Sequence, residues 1–91
     1  MNELKISGII SKLDPLRYSP ANIPIRNFKI FFQNQEQKEF YKQVEFEIEA
    51  VLVGNLALSE YKEGQKRIFL GFLDRKSKKS NQLIFHIKEI N

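Results

Sequence analysis

Two prolines, Pro20 and Pro24, bracket a small polar loop in the stretch Leu16-Arg17-Tyr18-Ser19-Pro20-Ala21-Asn22-Ile23-Pro24, and a strand pattern starts directly after it. Each proline fixes φ and removes a backbone donor, so this piece cannot lie inside a helix or a central strand. Ser19-Pro20-Ala21-Asn22 reads as a turn, because proline presets its first central residue and asparagine tolerates positive φ. Beyond it Phe28, Ile30 and Phe32 alternate with Asn27, Lys29, Phe31 and Gln33, the period of a strand with one buried face. A short strand therefore leads through a proline-stiffened turn into a long one over about residues 25–33.

The same period recurs along the chain. Leu4, Ile6, Gly8 and Ile10 alternate with Lys5, Ser7, Ile9 and Ser11 in an opening strand that Asp14-Pro15 ends. Gly8 within it predicts a bend or bulge of the kind that curls a strand into a barrel. After the polar stretch 33–39, Val44, Phe46, Ile48, Ala50 and Leu52 point one way, and Tyr41, Gln43, Glu45, Glu47, Glu49 and Val51 the other. Residues 55–62 fit a short helix or helical turn stopped by Gly64. Ile68, Leu70 and Phe72 then alternate with Phe69, Gly71 and Leu73, and after the basic loop 74–82 Leu83, Phe85 and Ile87 alternate with Ile84, His86 and Lys88.

Five strands with one helical element between the third and fourth is the order of an OB-fold, an all-β five-stranded Greek-key barrel. An SH3-like barrel, which usually lacks that helix, is the alternative. The expected core is Ile6, Ile10, Phe28, Ile30, Phe46, Ile48, Leu70, Phe72, Phe85 and Ile87, within a single domain over residues 1–91. A domain of this size hides only roughly two-thirds of its unfolded surface, so a partner subunit would add needed stability.

Residue types narrow the function. The chain has no Cys and one His, which excludes a disulfide framework and a thiolate metal site and fits a reducing cytosol. The expected location is cytoplasmic: no apolar run approaches the roughly 18 residues of a membrane span, and Met1 to Ser7 lack the basic-then-apolar order of a secretory signal. His86 lies mid-strand, opposite in phase to Leu83, Phe85 and Ile87, and reads as a packing or surface residue. Glu45, Glu47 and Glu49 lie about 6–7 Å apart along a strand, too far to chelate one ion closely. A solvated acidic face is the better reading. No enzyme, metal or cofactor is expected.

Single-strand binding needs cations and exposed rings, since bases stack on aromatics while Lys and Arg release counterions from phosphates. The net charge of +4 permits an anionic partner, and Arg75-Lys76-Ser77-Lys78-Lys79 concentrates four cations in five residues of the basic loop, expected as a mobile positive finger. Phe31 shares an outward face with Lys29, and Phe40 and Tyr41 stand beside Lys42.

Several residues resemble, in order, the primosomal replication protein N (PriB) family, relatives of the bacterial single-stranded-DNA-binding proteins. They are Leu4, Ser7 and Gly8; Leu16-Arg17, Ser19-Pro20, Ile23-Pro24 and Phe28; Gly54 and Gly64; and Gly71-Phe72 and His86. The resemblance covers nearly the whole chain, with one short deletion between the last two strands. It implies a homodimeric OB-fold that binds single-stranded DNA and stimulates the replication-restart helicase PriA, with DnaT as a further partner. Candidate single-strand contacts are Arg17, Lys29, Phe31, Phe40, Lys42, Arg75, Lys76, Lys78 and Lys79.

Three positions depart from the family pattern. Asn22 stands where the family has Gly, Gln33 holds an arginine-like position, and Glu45 replaces a stacking Trp. The last two predict weaker DNA binding, or a route over the loops and Phe31. The ending Lys88-Glu89-Ile90-Asn91 lacks the acidic tail of the larger single-strand-binding proteins, which favours the PriB-like reading. The alternative function is a protein-interaction OB module, or a truncated single-strand-binding paralogue, with vestigial DNA contact and the acidic strand as a docking surface.

Overall fold

The proline-bracketed hairpin closes through its own side chains. The Ser19 hydroxyl accepts hydrogen bonds from the backbone N–H groups of Ala21 and Ile23, each at 3.2 Å. The Asn22 N–H donates to the Ser19 carbonyl at 2.8 Å, and the Ser19 N–H to that of Ile23 at 2.9 Å. Asn22 sits at φ 65°, the left-handed conformation that Asn adopts more readily than other non-glycine residues. The position that is Gly in the family pattern therefore keeps its turn.

The computed structural model describes residues 3–34 and 44–91, with side chains over 3–32 and 47–91. Among them are strands β1 (Leu4–Leu13), β2 (Arg17–Tyr18), β3 (Pro24–Asn34), β4 (Val44–Val53), β5 (Lys66–Arg75) and β6 (Leu83–Ile90), with a 3₁₀ turn at Asn55–Leu58 between β4 and β5. β1 pairs with both β5 and β3, β3 with β4, and β5 with β6. A parallel contact of β4 with β6 completes the ring. The result is a closed five-stranded OB barrel, with β2 as a short addition on the edge of β3. Among the described residues no helix is long and apolar enough to cross a membrane.

β1 serves two neighbours by changing phase. Its register with β3 shifts between Ile10 and Lys12, a bulge at Ser11. Ile6, Gly8 and Ile10 are buried before it, while beyond it Leu13 packs on the core and Lys12 is exposed. The bulge expected at Gly8 thus lies three residues later. Gly8 answers a different need, since a Cβ there would lie 2.8 Å from the Phe31 carbonyl oxygen.

The barrel is filled by Ile10, Ile30, Leu52, Phe69 and Phe85, all fully buried. Phe28 lies between Tyr61 and Phe69, with ring centroids 6.2 and 5.8 Å away. Tyr61, buried beneath the 3₁₀ turn, donates its hydroxyl to the Leu56 carbonyl at 2.7 Å, the partner that a buried phenol requires. The helical segment therefore ends at Leu58, short of Gly64. Gly64 instead adopts φ 87° and turns the chain into β5, its N–H donating to the Ile10 carbonyl at 2.7 Å.

In β5 the inward face is the opposite of the expected one. Phe69 and Gly71 are buried and Leu73 packs on the core, whereas Leu70 and Phe72 are half-buried outside it. Pairing decides this, because Gly71 faces Ile87 and Leu73 faces Phe85, and directly paired residues share a face. Ile6, Ile10, Phe28, Ile30, Phe85 and Ile87 hold their expected core places, with Ile48 packed against them. The side chain of Phe46 lies outside the described residues; its backbone is paired with Phe32.

This face assignment predicts an asymmetry. Phe69→Ala should cost ~3–5 kcal/mol, the range for a buried Phe, and Phe72→Ala less than half of that. Urea unfolding of both variants measures it, and equal losses would mean that β5 is paired one residue out of register.

Candidate nucleic-acid interface

The Ser11 bulge has a consequence on the outer surface. Without it Lys12 would share the inward phase of Ile6, Gly8 and Ile10; with it Lys12 stands directly opposite Lys29 of β3. The row continues from Lys29 to Glu49 of β4, Ile84 of β6 and Asp74 of β5. Like charges directly opposite each other on a sheet destabilise it. Glu49, beside Lys29, offsets part of that repulsion, and a bound anion would offset more.

The β5–β6 loop folds back over this row. Lys76 Nζ lies 2.9 Å from Glu49 Oε2, with both side chains partly exposed. Lys12, Lys29, Lys76, Asp14, Glu49 and Asn27 line an open groove of about 410 Å³ whose base is formed by Phe28 and Ala50. Along the next row Asn27 is opposite Val51, which is opposite His86 and then Phe72. Arg17 reaches this row from β2, its Nη2 and Nε donating to Asn27 Oδ1 at 2.9 and 3.3 Å. His86 lies parallel to the Phe72 ring, with centroids 4.9 Å apart, which is packing, one of the two roles expected of it.

The basic loop is a closed turn and not a free finger. The Lys76 N–H donates to the Gln82 carbonyl at 2.8 Å, the Ser80 N–H to that of Ser77 at 3.2 Å, and the Gln82 N–H to Ser80 Oγ at 2.9 Å. These bonds leave Lys78 and Lys79 exposed at its tip. Arg75 ends β5 opposite Leu83 and is likewise exposed. The acidic face of β4 is also engaged: the Ser11 hydroxyl donates to Glu47 Oε2 at 2.7 Å, and Glu49 holds Lys76. The side chain of Glu45 lies outside the described residues.

Of the candidate contacts, Lys29 and Lys76 meet in the groove and Arg17 lies beside it through Asn27. Phe31 is two residues along the same face of β3, half-buried, between Ile9 and Glu47 in register. Lys78 and Lys79 are exposed at the loop tip and do not line the groove, and Arg75, exposed at the end of β5, is in phase with the inward-facing Leu73 and not with the outer row that holds Asp74. Phe40 and Lys42, with Tyr41, lie outside the described residues. Sequence reasoning missed Lys12, Asp14 and Asn27 as groove residues. The signal for Lys12 was available, since the apolar set passes from even positions to Leu13, which marks a phase change. The place of Asp14 depends on a loop path that no periodicity encodes.

Exposed ion pairs contribute little to stability, because water screens them and ordering two long side chains costs entropy. Lys76→Met should therefore change the unfolding free energy by less than about 1 kcal/mol in chemical denaturation.

Comparison with known proteins agrees with this architecture. Residues 2–89 match a family described as another single-strand binding protein family. The replication restart protein PriB of Nitrosomonas europaea is 33% identical over 91 residues, covering 97% of this chain and 84% of that protein. The structure of PriB from Ralstonia solanacearum superposes with a TM-score of 0.84 at 33% identity, covering 100% of this chain and 97% of that one. The SSB domain of a Synechococcus protein shares the fold at 16% identity, with a TM-score of 0.77 over 99% of this chain and 93% of that one.

Proposed function

The chain belongs to the replication restart protein PriB family of single-strand-binding proteins, and from that membership and the groove we propose that it binds single-stranded DNA as an accessory of replication restart. The observation that carries this reading is the cross-strand pair Lys12–Lys29 facing Lys76 across an open groove on the barrel's outer surface. Three cations converge there on a space open to a backbone, and Arg75, Lys78 and Lys79 of the loop are the further phosphate contacts of this reading. Phosphates held this way are bound without regard to sequence.

Phe31, two residues beyond Lys29, is the ring best placed to stack a base, with Arg17 at the opposite side of the groove; Phe40 and Lys42 complete the proposed contact set. With Glu45 in place of a stacking Trp, binding is weaker than in relatives that carry one. The chain acts as a single binding domain without catalysis, in the cytoplasm. Its protein partners are a PriA-like helicase, which it stimulates, and DnaT, as the family resemblance implies.

It acts as a homodimer. Among the described residues, the Leu4–Gly8 half of β1 pairs with β5 alone, so its other edge is open. Ile9 beside it is 37% exposed and lies opposite Phe31. An unpaired strand edge next to apolar side chains is a template for a second copy. Sedimentation at micromolar concentration should give about twice 10.8 kDa; a monomer at high concentration would remove the dimer.

DNA binding is tested on the loop. Changing Arg75, Lys76, Lys78 and Lys79 together to Ala should weaken oligo-dT binding in fluorescence anisotropy. It should also flatten the dependence of log K on log salt by up to ~0.7 for each phosphate that the loop no longer neutralises. Unchanged affinity and slope would take the loop out of the site and favour the protein-docking reading.

A further inference from the structure

Glu49 is the carboxylate in the midst of the lysines. It is opposite Lys29 in register, Lys29 is opposite Lys12, and its Oε2 lies 2.9 Å from Lys76 Nζ. All four side chains line the same groove. A carboxylate and a phosphate offer a lysine the same thing, an anionic oxygen acceptor at hydrogen-bond distance. On the binding reading above, on which this inference rests, a strand laid in the groove meets a Lys76 that already has its acceptor.

We propose that Glu49 is an internal occupant of the groove: its carboxylate holds Lys76 in the place of a backbone phosphate, and single-stranded DNA binds by exchanging one for the other. The pair then has two effects. It keeps the basic loop folded over β4 in the unbound protein, and it lowers affinity by the free energy of the ion pair that must open. Glu47 carries the same charge two residues away on the same strand face. Its carboxylate takes the Ser11 hydroxyl and does not line the groove, so it serves as the control.

The test is a double-mutant cycle read by oligo-dT anisotropy over a salt series, with the full chain. Glu49→Gln keeps the side chain's shape and removes its charge. It should tighten binding by about two- to five-fold, the worth of an exposed ion pair, and steepen the salt slope by up to ~0.7 as Lys76 becomes a full phosphate contact. Lys76→Ala should then cost more in the Glu49→Gln background than in the wild type, since only there is the lysine free beforehand. Glu47→Gln should have a smaller effect.

Equal costs of Lys76→Ala in both backgrounds, or equal gains from Glu47→Gln and Glu49→Gln, would overturn the exchange and leave DNA binding standing. Absence of binding by wild type and Glu49→Gln alike at low salt would overturn the DNA reading and the exchange together. Binding by Glu49→Gln alone would support the exchange in its strongest form.

Discussion

The structure depends on the parallel contact between β4 and β6, made through Glu49 with Ile84, Ala50 with Phe85, and Val51 with His86. Without it β1, β3, β4, β5 and β6 would form an open sheet, and Ala50 and Phe85, both fully buried, would face water. Burying a Phe stabilises by roughly 1.5–3 kcal/mol, a large share of the marginal stability of a small domain. A parallel neighbour cannot follow through a tight hairpin. The chain therefore crosses from β4 through the 3₁₀ turn and β5 before returning as β6, and Tyr61 plugs the barrel beneath that crossover.

The same three pairs build the outer site. Alternate residues of a strand point to opposite faces, so Ala50 turned inward places Glu49 and Val51 outward. Glu49 is thereby set between Lys29 and Ile84, and the loop that precedes β6 is brought over β4, where Lys76 finds it. Core and site share one register, and a slip of one residue would exchange them.

The site's electrostatics are made of weak parts. Each exposed lysine contributes little by itself, and the Lys76–Glu49 pair is screened by water. What distinguishes the groove is the direct opposition of Lys12 and Lys29, an arrangement that costs stability and that an anion relieves. The acidic strand, read from sequence as a solvated face, is in part already engaged, with Glu47 held by Ser11 and Glu49 by Lys76.

The alternation of apolar residues, the two prolines and the glycines were enough to define a barrel of short and long strands, its hairpin turn at Asn22, most of its core and the cations of its loop. These are local signals, since strand period and turn chemistry are written in neighbouring residues. What the tertiary structure alone decided is which face of β5 turns inward, where β1 bulges and what Lys76 touches. In β5 both faces carry apolar residues, so period could not choose between Phe69 and Phe72; the hydrogen-bonded register with β6 did. The Ser11 bulge arises because one strand must pair with both β5 and β3, a demand made by barrel closure and not by its own residues. The meeting of Lys12, Lys29, Glu49 and Lys76 follows from those two choices, because contacts between residues far apart in the chain are set by strand pairing and not by local pattern.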